Sequence, residues 1–88
     1  MRLSSDKRAK RREVLEELYD RGYRYITASR NDQLISGVSY NRKIEAFGVW
    51  GMENPISLKT MGIDRELFPD VKWENKKPLV IEDELIIA

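Results

Sequence analysis

Five cations stand within six positions near the start of the chain: Lys7, Arg8, Lys10, Arg11 and Arg12. At this density ammonium and guanidinium groups neutralise phosphate, and such a run is the usual footprint of nucleic-acid contact. Arg2 and Arg21 could extend the cluster. On a helix the five positions span more than one face, which suits tracking a phosphate backbone better than reading base edges. Tyr23, Tyr25 and Tyr40 could offer stacking surface to unpaired bases. The plainer interpretation of the same residues is a solvated, frayed arm whose charge keeps the chain soluble.

Other chemistry is scarce. The chain has no His and no Cys. Without His there is no common general base near neutral pH, and without either residue no Ser–His or Cys–His nucleophile pair can form. No disulfide or thiolate metal ligand is available. The sequence carries no phosphate-binding glycine loop, no dinucleotide turn and no zinc spacing. Glu82-Asp83-Glu84, and Asp64 with Glu66, are the groupings that could attract a hard cation. Adjacent carboxylates in a tail are far more often solvated charge, because such ions need several converging oxygens. The inventory predicts a protein that is not an enzyme and uses no cofactor or metal.

Charge is uneven along the chain. Residues 1–12 hold six of the sixteen Lys and Arg residues against a single acid, Asp6, although the formal net charge is only +1. The remainder is mildly acidic. We therefore expect one domain over residues 1–88, with a basic arm at 1–12 attached to a globular body at 13–88. A chain of this size buries roughly 60–65% of its unfolded surface, so its core is thin. No apolar run approaches the ~20 residues of a membrane span. No apolar segment follows the charged N-terminus as it would in a secretory signal. The expectation is a cytoplasmic protein without membrane contact.

These residues need elements to position them. Val14, Leu15, Leu18 and Tyr19 draw one apolar stripe of helical period, so residues 5–21 read as a helix. Ser4 or Ser5 can cap its start and Gly22 can end it. Its charge order is unfavourable, with cations in the N-terminal half and Glu13, Glu16, Glu17 and Asp20 in the C-terminal half. The helix dipole prefers the reverse by about 0.3–1 kcal/mol per well-placed charge. From Tyr23 the composition turns aromatic and β-branched, predicting strands over 23–30, 33–40 and 44–50. Asn31-Asp32 and Asn41-Arg42-Lys43 read as turns between them. In the third strand Ile44, Ala46, Gly48 and Trp50 share one face. Residues 56–59 read as a short edge strand. Asp64 starts a single helical turn that Pro69 ends. Val71–Glu74 reads as a further strand with Val71 and Trp73 inward, and Leu79-Val80-Ile81 as the last strand of the core. The fold class is α+β, with the N-terminal helix packed on an antiparallel meander of three to five strands. Leu15, Leu18, Trp50, Phe68 and Trp73 are the expected core.

The stretch Leu67-Phe68-Pro69-Asp70-Val71-Lys72-Trp73-Glu74-Asn75, followed by Pro78 and an apolar pair, resembles the C-terminal signature of small uncharacterised proteins of phages and prophages of Gram-positive bacteria. The specific likeness covers about nine residues, with looser support over 23–81, and it excludes the basic helix. The resemblance implies a phage origin and an accessory role, and brings no catalytic residues with it. Together with the missing catalytic groups it implies a binder of a host or phage protein, one that could antagonise a host process. The sheet's outer face and the apolar C-terminus, Leu79–Ile81 and Leu85–Ile87, could supply the interface. A second copy could also pair there to make a homodimer. The alternative function is nucleic-acid binding through Lys7, Arg8, Lys10, Arg11 and Arg12.

Overall fold

The computed structural model describes residues 3–87. Its first element is α1, Ser5–Asp20. The Ser4 side chain caps it by accepting from the Lys7 amide at 3.3 Å. Gly22 ends it in the left-handed region at φ +97°, so the Tyr23 amide can fold back onto the Leu18 carbonyl at 2.9 Å. The buried stripe is Val14, Leu15 and Leu18.

Among the described residues six strands follow: β1 Tyr25–Ala28, β2 Leu34–Gly37, β3 Tyr40–Ile44, β4 Val49–Met52, β5 Ile56–Ser57 and β6 Leu79–Val80. Short 3-10 turns at Leu58–Met61 and Arg65–Leu67 lie between β5 and β6, and a helix, α2, closes the chain at Ile81–Ile87. The main sheet has four strands in the order β5-β2-β1-β6, and β3 pairs separately with β4. Every pairing is antiparallel. The fold is α+β, as composition and period imply.

The two faces of the sheet receive different partners. Ile26, Ala28 and Leu34 join Val14, Leu15 and Leu18 in the core, which Leu58, Leu67, Phe68, Val71 and Ile81 complete. Phe68 is the largest fully buried side chain. Alternation along β1 sends Tyr25 and Thr27 the other way. There the β3–β4 hairpin folds over the sheet. Thr27 Oγ1 lies 3.5 Å from Met52 Sδ, and the Tyr25 and Tyr40 rings meet edge to face at 4.8 Å. Gly37 makes this approach possible, because a Cβ there would sit 2.8 Å from Met52 Cβ. The molecule is thus layered as helix, sheet and hairpin.

Five expectations are corrected. The strand anticipated at 44–50 is broken, because residues 45–48 form a turn that Gly48 closes at φ +66°. Its pieces join the outer hairpin instead of extending the sheet, and Asn41–Lys43 lies inside β3, not in a turn. Val71–Glu74 is not a strand: the free sides of β1 and β2 are already taken by β6 and β5. Arg65 Nη2 binds the Val71 carbonyl at 2.6 Å, and the chain turns through Lys72 and Asn75. Val71 is buried, but Trp73 is only half-buried and lies outside the core. Trp50 is buried at 9% exposure, as expected of a core residue, and sits in the hairpin layer beside the main cluster. Finally, residues 5–12 are a continuous part of α1 docked on the body, so no arm separates at residue 12. Leu79–Val80 does pair with β1.

Candidate interaction surface

The basic helix is turned inward more than its sequence suggests. Arg11, with a side chain only 14% exposed, joins three segments. It donates to Asp70 through Nη1 and Nη2 at 2.7 and 3.1 Å, to Glu84 at 2.7 Å and to the Leu67 carbonyl at 3.1 Å. Its guanidinium also lies 4.8 Å from the Phe68 ring centre. The hydrogen bond from Arg11 holds the Asp70 carboxyl below its ordinary value, against the opposing effect of partial burial. Lys7 pairs with Glu66 at 3.0 Å, and that hydrogen bond raises the ammonium above its ordinary range. Arg12 reaches Glu16 at 3.9 Å and the Leu85 carbonyl at 3.5 Å. Lys10 stands 3.8 Å from Glu13. Of the five, Arg8 alone has no ion pair among the described residues, and Arg2 lies outside them. The five cations are not gathered on a common outward face. A groove of about 550 Å³ runs between α1 and residues 61–67, but Asp6, Glu13, Glu17 and Asp64 line it together with Lys7 and Lys10. Its charges alternate and favour no one ligand sign.

The segment after residue 63 is fixed by a second arginine. Asp64 caps the Arg65–Leu67 turn by accepting from the Glu66 amide at 2.9 Å. Arg65 then binds the Phe68 carbonyl at 2.5 Å and Asp32 at 2.8 Å. The Arg65 hydrogen bond lowers the Asp32 carboxyl below its ordinary value. Both aspartates therefore serve as internal ties.

Unpartnered charge collects on the other side of the molecule. Arg42 is exposed and Lys43 half-buried, and neither makes an ion pair among the described residues. Lys43 Nζ stands 5.6 Å from the Trp50 ring centre and 4.7 Å from that of Trp73. The Arg30 guanidinium lies 5.5 Å from Trp73 and also pairs with Glu45 at 3.1 Å. Trp73 thus lies within cation–π reach of two cations, one of them on the hairpin. Trp50 meets Tyr40 edge to face at 5.8 Å. Around this cluster Tyr40 is 39% exposed, Ile44 37% and Phe47, at the hairpin tip, 78%. Beside the tip a cleft of about 360 Å³ is lined by Arg30, Gln33, Ile35, Ala46, Phe47 and Val49.

Arg30, Arg42, Lys43, Ile44 and Phe47 were not singled out as contact residues by the sequence. Their signal was present but faint. Gly48 marks a left-handed turn, which places Phe47 at a tip and returns Asn41–Lys43 to a strand. At the C-terminus Ile81 is buried, Leu85 packs on the core, and Ile86 is 74% exposed. The side chain of Ile87 lies outside the described residues. Among the described residues no group of three or more His, Cys, Asp or Glu side chains is placed to hold a metal ion, and no helix is long and apolar enough to cross a membrane. No protein-family model, curated protein or solved structure matches the chain.

Proposed function

We propose that this chain is a non-enzymatic binding protein that modulates another protein, with the outer hairpin as its contact surface. One observation carries the reading: a large exposed aromatic, Phe47, stands at the tip of a hairpin whose Tyr40 and Ile44 are also open. Among the described residues their neighbours Arg42 and Lys43 have no carboxylate partner. Apolar anchors with an adjacent basic rim are the usual make-up of a protein contact, where aromatic residues and Arg are enriched. The likeness of Leu67–Asn75 to phage proteins supports a host or phage protein as the partner. Nucleic-acid binding through α1 is the weaker reading, because Lys7, Arg11 and Arg12 are engaged with the body of the protein.

Affinity capture from Gram-positive lysates tests the proposal. The wild-type chain should retain one dominant partner at high salt, and Ile44→Ser with Phe47→Ser should release it. Capture that is unchanged in the double variant, or no partner from several hosts, would overturn the reading.

A further inference from the structure

The outer side of β3 is an open strand edge. Among the described residues the hairpin sheet has two strands, and β4 lies inward, with Trp50 buried and the Gly48 carbonyl accepting from the Arg30 amide at 2.7 Å. Tyr40, Asn41, Arg42 and Ile44 are exposed, so β3 faces solvent. Natural proteins blunt such edges, because unpaired backbone groups template the addition of another strand. Here the blunting is partial: a register shift between Tyr40 and Lys43 puts one extra residue in β3, which bends the strand without covering it.

From this edge we infer that β3 takes an extended, acidic segment of another protein as a third strand of the hairpin. The inference rests on the binding role proposed above and specifies its partner. Charge decides the occupant. Five residues, Tyr40-Asn41-Arg42-Lys43-Ile44, carry two cations and no acid. A second copy pairing antiparallel about Arg42 would set Arg42 against Arg42 and add two more lysines beside them. Like charges directly opposed across strands destabilise the pair, so the edge rejects itself. A strand with Asp or Glu opposite Arg42 and Lys43 meets the reverse condition, and its β-branched residues can pack beside Ile44. Backbone hydrogen bonds then supply affinity and the side chains supply selection.

The probe is a short capped peptide with two adjacent Glu residues flanked by Val, so that acids face both Arg42 and Lys43, compared with a twin carrying Lys for Glu. Titration of the full chain should shift the amide resonances of Tyr40–Ile44, with the Glu peptide bound at least about tenfold more tightly than its twin. Arg42→Glu with Lys43→Glu should keep a dispersed amide spectrum and invert the preference. The inference is overturned by unshifted Tyr40–Ile44 resonances, by equal affinity for the twins, or by an unaltered preference in the charge-swapped variant. Shifts at β3 produced by an oligothymidylate strand in place of the Glu peptide would also overturn it, as would self-association through β3. Should these results be negative while capture still depends on Ile44 and Phe47, edge pairing falls and the wider binding role stands.

Discussion

The two basic regions of this molecule have opposite fates. The helix carries the denser cluster, yet Lys7, Arg11 and Arg12 are drawn inward by acids and carbonyls from distant parts of the chain. The hairpin carries only Arg42 and Lys43, with Arg30 beside them, but among the described residues its first two cations have no carboxylate to answer them. Availability for a partner is set by where the acids come to rest, and the density of cations along the chain does not report it. The helix side also holds the main core, whereas the hairpin side holds the exposed Tyr40 and Phe47 and the half-buried Trp73.

The largest test of that contrast compares one aromatic from each side. Phe68→Ala should lose about 3–5 kcal/mol of stability, since it empties the centre of the core. Trp73→Ala should lose only about 1–2 kcal/mol, as a half-buried ring held by two cations and one packing face. Urea denaturation measures both, and equal losses would break the contrast.

Next comes a pair of arginines. Arg11→Ala should cost about 2 kcal/mol, because it removes three sets of hydrogen bonds, discounted for the solvent that screens Asp70 and Glu84. Arg42→Ala should stay within about 0.5 kcal/mol of wild type. An Arg11→Ala variant as stable as Arg42→Ala would show that the ties on the helix are ornamental.

Acid titration sharpens the same point. The folded chain holds the Asp70 and Asp32 carboxyls below their ordinary value of 3.8. In acid the unfolded chain therefore binds more protons than the folded one, and stability falls as pH falls. It should be level from about pH 5 to neutral pH and decline as pH drops through the ordinary aspartate range. Asp70→Asn should start lower and decline less steeply. An unchanged slope in that variant would remove Asp70 from the tie. The smallest effect belongs to Arg8: Arg8→Ala should alter stability by no more than about 0.5 kcal/mol and leave partner capture intact.

What could be seen in the sequence was local. The Ser4 cap, the apolar stripe of α1, the Gly22 stop, the first hairpin across Asn31-Asp32 and the Asp64 turn all depend on neighbours a few residues apart. The partners of Arg11 lie 59 and 73 residues away at Asp70 and Glu84, and no periodicity discloses them. The hairpin was missed for a related reason. Arg42 and Lys43 are polar and follow Asn41, so they resemble a turn, and only the left-handed Gly48 and the close approach of Met52 to Gly37 fix where the strand runs. Trp73 was read as core from its size, but with the sides of β1 and β2 occupied, its ring found cations instead.

Amide hydrogen exchange on the chain bound to its captured partner tests most directly which basic region meets other molecules. Protection should appear over residues 40–47 and be absent from the exposed face of α1 around Arg8 and Lys10. Protection confined to that helix face, with the hairpin exchanging as freely as in the unbound chain, would contradict the assignment.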